Sequence, residues 1–158
     1  MKKLILLTMI AGILFSCGSN GNTENSTAEN STGGEKKTEE TPAYDPHRGE
    51  GKFTKVELGA SLDVSKATSG KKVYDVKCGA CHKLTDEKLV GPGWTGVTSR
   101  YAPEWIMNFI TNTDAMITKD PKMQAQLEIC LVRMPNQSLT DDDARNLLEF
   151  MRKNDGIK

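Results

Sequence analysis

Apolar residues fall along this chain in three successive patterns. From Leu4 to Phe15 the run "LILLTMIAGILF" is unbroken apart from Thr8, from Gly18 to about Pro42 almost nothing is apolar, and beyond that apolar positions recur at helical spacing. The third stretch opens with "KFTKVELG" (52–59), where Phe53, Val56 and Leu58 alternate only in part, which predicts a short strand or an extended lead-in. Asp63 then stands where an N-cap belongs, and Val64, Ala67, Gly70, Val73 and Tyr74 mark one face of a helix over about 64–77. Gly70 costs such a helix about 1 kcal/mol against Ala, so its presence predicts a close helix crossing. The segment "LVGPGWTGVTSR" (89–100) has too many glycines for a regular element and reads as loop. Pro103 suits the first position of a helix to about Thr111, with Trp105, Ile106, Phe109 and Ile110 at helical spacing, and "KDPKMQAQLEICLV" starts another with Asp120 as cap. The last helix is the clearest. Thr140 with Asp143 three residues on resembles a capping box, Ala144, Leu147, Leu148 and Met151 form the buried stripe, and Gly156 suits the stop.

The first two patterns are not those of a globular domain. Lys2 and Lys3 ahead of the apolar run match a secretory signal, and the run is shorter than the roughly 20 residues a membrane span needs. Its end, "LFSC", resembles the lipobox of bacterial lipoproteins, which implies cleavage before Cys17 and acylation of that residue. The alternative is an ordinary signal peptide with an incidental cysteine. The polar stretch, in which "ENST" occurs twice, reads as a disordered tether of about 25 residues spanning roughly 25–30 Å as a flexible coil. The expected organisation is a signal at 1–16, a lipidated Cys17 and tether over 17–43, and one domain over 44–158. Loss of Lys2 and Lys3 leaves 19 basic against 21 acidic groups, which argues against a nucleic-acid partner.

The chemistry concentrates in "CGACH", residues 78–82. A thioredoxin-like dithiol needs a surrounding βαβ pattern, but a helix precedes Cys78 and a glycine-rich loop follows. A structural zinc site needs two further ligands, and only His47 and Cys130 remain, far apart in sequence. C-x-x-C-H is the attachment motif for c-type haem, with Cys78 and Cys81 as thioether bonds and His82 as proximal iron ligand.

Residues from about 60 to 156 resemble a class I cytochrome c domain. "SGKKVYDVKCGACH" is similar to that family's first helix and haem clamp, "GPGW" to the loop that follows, and "MPNQSLTDDDARNLLEFM" to its distal-ligand loop and last helix. The stretch 101–133 follows the family pattern less closely. The resemblance implies an all-α fold with helices wrapped around one covalently attached haem, and Gly70 and Tyr74 packed near Leu147 and Phe150. It also implies a Pro92 carbonyl that accepts from the proximal imidazole. For the sixth ligand, Met107, Met116, Met123 and Met151 fall in or beside helices, whereas Met134 sits in a loop before the last helix and matches the family's distal position. His47 and an open position are the alternatives. Trp94, Arg100, Tyr101 and Trp105 are candidate donors to the haem propionates, and Cys130 reads as a small buried apolar residue.

Seven basic groups against three acidic ones between Lys66 and Arg100 would steer an acidic redox partner, or form a solvated face. The expectation is an exported, membrane-anchored electron carrier on the periplasmic side or cell surface, not an enzyme by itself. It would serve redox proteins such as a terminal oxidase or a nitrous-oxide-type reductase. The alternatives are a haem protein whose distal site opens, acting as peroxidase or gas sensor, and a fixed electron-entry subunit of a larger complex.

Overall fold

The computed structural model describes residues 43–158; the signal, Cys17 and the tether lie outside them. Among the described residues there are helices and no strand: α1 (Val64–Lys77), α2 (Val97–Arg100), α3 (Pro103–Thr111), α4 (Thr113–Lys119), α5 (Pro121–Cys130) and α6 (Asp141–Asn154).

Side chains set the helix ends. Asp63 caps α1 by accepting from the Lys66 amide at 2.9 Å, and Thr140 caps α6 by accepting from the Asp143 amide at 3.1 Å. Each satisfies an amide that the first turn leaves without a partner. The α6 helix stops where Gly156 takes φ +90°, which lets the Gly156 and Ile157 amides return to the Lys153 and Arg152 carbonyls at 3.1 and 3.0 Å.

The α1 and α6 helices cross backbone to backbone. A Cβ at Gly70 would overlap the Asn146 carbonyl and come within 2.9 Å of the Leu147 amide nitrogen. One turn on, the Tyr74 and Phe150 rings meet with centroids 5.4 Å apart. Ala67, Gly70, Val73 and Tyr74 lie on the packed face as their spacing predicts, but Val64 is exposed. It lies six residues before the crossing, where two helices meeting at an angle have already diverged.

Two short helices escape the sequence pattern. The α2 turn lies inside the stretch read as loop, and its cap is tertiary: Asp155 accepts from the Gly96 amide at 2.7 Å, the Thr98 amide at 2.8 Å and the Thr98 hydroxyl at 2.7 Å. The α4 helix starts directly after Asn112, whose φ of −134° breaks it from α3.

The lead-in is extended but not a strand, because its backbone partners are side chains of α3 and α6. Asn108 donates to the Arg48 and Phe53 carbonyls at 2.8 and 2.9 Å and accepts from the Phe53 amide at 2.9 Å. Glu104 accepts from the Val56 amide at 2.8 Å, and Arg152 donates to the Gly59 carbonyl at 2.7 Å. The same Arg152, with Arg145, neutralises the buried Glu149, each at 2.8 Å. Nearer the start, the Tyr44 hydroxyl donates to Asp120, which also accepts from the Trp105 indole at 2.7 Å and from the Lys122 and Met123 amides at the head of α5. Burial pushes the Asp120 carboxyl up, but these donors outweigh it and hold it below the usual carboxylate range.

Gly70→Ala is expected to destabilise the protein by about 3 kcal/mol in a denaturant titration, because overlap with a fixed carbonyl outweighs the gain of about 1 kcal/mol in helix propensity. Lys72→Ala on the exposed face of the same helix is expected to stay within about 0.5 kcal/mol. The depressed carboxyl of Asp120 contributes stability that is complete above its unfolded value of about 3.9 and is lost as pH falls through the folded one. Asp120→Asn is therefore expected to flatten the acid limb of stability against pH while lowering stability at neutral pH by about 3 kcal/mol, measured by denaturant titration across pH.

Candidate haem site

The site begins where α1 ends. The Cys78 and Gly79 amides both donate to the Tyr74 carbonyl, at 2.9 and 2.8 Å, and the Cys81 and His82 amides donate to the Cys78 carbonyl, at 3.0 and 2.9 Å. The clamp is thus a compact turn. The chain then folds back on itself, with the Gly91 amide donating to Cys81 at 2.9 Å and the Trp94 amide to Lys83 at 3.0 Å. Glycine is required on this return path: a Cβ at Gly93 would overlap the Thr85 carbonyl, and one at Gly91 would overlap the His82 ring.

This folding brings the Pro92 carbonyl to 2.8 Å from His82 Nδ1. A carbonyl can only accept, so the proton sits on Nδ1 and Nε2 keeps its lone pair. Burial lowers the imidazole's pKa against the opposing pull of the Pro92 bond, which keeps the ring neutral and able to ligate. The Tyr74 hydroxyl donates to the His82 carbonyl at 2.6 Å, and Trp94 packs between the Tyr74 and His82 rings at 5.0 and 5.7 Å.

His82 opens onto a largely apolar cavity of about 480 Å³. Cys81, Pro92 and Trp94 line it from the clamp side, Trp105, Ile106 and Phe109 from α3, and Cys130 and Met134 from α5 and the loop after it. Cys78 is not part of this lining: it lies buried beside the core, and burial pushes its thiol up to about 11. Among the described residues, no group of three or more His, Cys, Asp and Glu side chains could hold a bare metal ion. Two thiols on one turn, a neutral imidazole, a thioether and an apolar slot fit a porphyrin-bound iron instead.

Of the expected propionate donors, Trp94, Arg100 and Tyr101 line the cavity. The Arg100 guanidinium donates to the Thr95 and Gly93 carbonyls, which braces the return loop. Trp105 also lines the cavity, but its indole N–H is already given to the buried Asp120, so it is not a free donor. Tyr101 stacks on Trp105 with centroids 4.1 Å apart. His47 is exposed and lies outside the cavity lining, because its segment is tied to the far side of α3. Cys130, expected in the core, is half-buried and lines the cavity with Met123. These two are seven residues apart on α5, and that spacing was the signal for a shared face. Three of the seven lysines and arginines over 66–100 are taken up locally by the pairs Lys66–Asp63, Lys71–Asp75 and Lys83–Glu87.

The family model described as Cytochrome c matches residues 67–155. A comparison with curated proteins gives no match. Among solved structures, cytochrome c from Rhodothermus marinus is 33% identical with a TM-score of 0.64, over 66% of this chain and 90% of that one. An engineered Rhodothermus marinus cytochrome c, Rma TDE, is 32% identical with a TM-score of 0.63 over the same shares, and its form bound to a carbene intermediate gives 0.61. The chain therefore belongs to the cytochrome c family, with that family's all-α fold, covalently attached haem c and haem-based electron transfer.

Proposed function

We propose that the chain is a membrane-tethered, single-haem electron carrier in which Cys78 and Cys81 form the thioether bonds and His82 and Met134 are the axial ligands. The observation that carries this reading is that His82, with Nδ1 held by Pro92, and Met134 line one apolar cavity. When bound, the haem supplies a one-electron iron couple. The chain's residues do the rest. Pro92 fixes the imidazole's tautomer and ring orientation, and Trp94, Trp105 and Phe109 keep water from the slot. The Met134 thioether favours ferrous iron and so raises the potential. Acylation of Cys17 and the tether would hold the domain near membrane-associated or periplasmic redox proteins, with a terminal oxidase or a nitrous-oxide-type reductase as candidate acceptors.

A second reading, a distal site that opens to a small ligand, is favoured by one feature. Met134 sits in a non-helical segment between two non-glycine residues in the left-handed region, Leu131 at φ 59° and Ser138 at φ 50°. The engineered Rhodothermus marinus protein bound to a carbene intermediate supports it as well.

The ferric protein is expected to show the weak long-wavelength sulfur-to-iron charge-transfer band, and Met134→Ala to lose it. Absence of the band in the unaltered protein, with ready carbon monoxide binding to its ferrous form at neutral pH, would favour the opening site. Gly91→Ala should displace the His82 ring and cut the yield of haem-loaded, low-spin protein severalfold, read from the Soret spectrum.

A further inference from the structure

We propose that Asp120 is a positioning residue of the haem site, held by Tyr44 from the segment ahead of the lead-in, and that its buried carboxylate lowers the domain's reduction potential. The proposal rests on the reading of His82 and Met134 as ligands. Asp120 is 1% exposed and its two oxygens serve four donors. Oδ1 accepts from the Lys122 and Met123 amides at 2.7 and 3.1 Å, and Oδ2 accepts from the Trp105 indole at 2.7 Å and from the Tyr44 hydroxyl. The donors come from three separate parts of the chain.

On the α3 side, Trp105 is the middle ring of a stack, with Tyr101 at 4.1 Å and 16° and Phe109 at 5.1 Å and 12°. All three rings line the cavity. The bond from the indole to Asp120 therefore fixes the rotation of that wall. On the α5 side, the cap fixes where the helix starts, and with it the cavity-lining Met123 and Cys130 and the segment that carries Met134. One carboxylate thus couples the ring wall to the helix that delivers the distal ligand.

An amide could not replace it. Asn has one oxygen for four donors, and its NH₂ would face two of them. The charge has its own effect. A carboxylate shielded from water behind the cavity wall favours the more positive, oxidised iron, so it opposes the rise in potential that the thioether brings. Tyr44 lies before the stretch 67–155 matched by the family model, so the contact ties a segment outside that stretch to the cavity wall.

The test uses the full, haem-loaded chain with Tyr44→Phe and Asp120→Asn, reading the midpoint potential by spectroelectrochemistry and the rate of exogenous imidazole binding to the ferric protein. Asp120→Asn is expected to raise the potential, and both variants to bind imidazole about tenfold faster as the distal segment loosens. Tyr44→Phe keeps the charge, so its potential should move less. If both variants keep the potential and the imidazole rate, even with a lower melting temperature, Asp120 only staples the fold and the proposal fails. Loss of the charge-transfer band from the unaltered protein would refute the ligand reading by itself, while the potential of Asp120→Asn would still judge the carboxylate.

Discussion

Two backbones touch at Gly70, and most of the molecule is arranged around that contact. The crossing of α1 and α6 fixes the far end of α1, and the clamp begins directly after its last residue. Tyr74, one turn before the clamp, is caught between Phe150 and Trp94 and bonded to the His82 carbonyl. The position of the His82 imidazole is therefore set by helix packing, with the return loop supplying the final hydrogen bond. No single residue of the clamp could do this alone, since a five-residue turn has too few internal contacts to fix the orientation of a ring.

The rest of the chain closes the slot from the other side. The α3 helix contributes a flat aromatic wall, and α5 with the segment after it contributes the thioether side. Burial inside the domain is unusually polar for its size: Asn108, Asp120, Glu149 and Arg152 are all buried. Asn108 and Arg152 reach the lead-in directly, Asp120 holds Tyr44 ahead of it, and Glu149 holds Arg152 in place. The polar interior is thus how an extended segment with no ladder of its own is bound to a helical body.

What could be read from the chain follows from where each signal resides. Caps are local, so Asp63, Asp120 and Thr140 announced α1, α5 and α6 at their first residues. The clamp is a contiguous motif, and the Pro92 contact followed from the resemblance it carries. The α2 turn was hidden because its cap, Asp155, lies near the other end of the chain. The stretch 52–59 read equally as a short strand or an extended lead-in because partial alternation does not reveal whether a neighbour is a strand or the side of a helix. Trp105 looked like a propionate donor because composition shows that an indole has an N–H but not that a buried carboxylate already holds it. Cys130 was taken for core since its spacing from Met123 marks a shared face but not whether that face meets the core or a cavity.

The way the lead-in is held has a consequence for behaviour at high local density. A segment of extended chain ordinarily offers its free amides and carbonyls to any similar segment that drifts past, and crowding multiplies such meetings. Here Asn108, Glu104 and Arg152 consume the Phe53, Val56 and Gly59 groups one by one. The groups turned toward the helical body are spent on it, which leaves a passing copy fewer of them to pair with along this stretch.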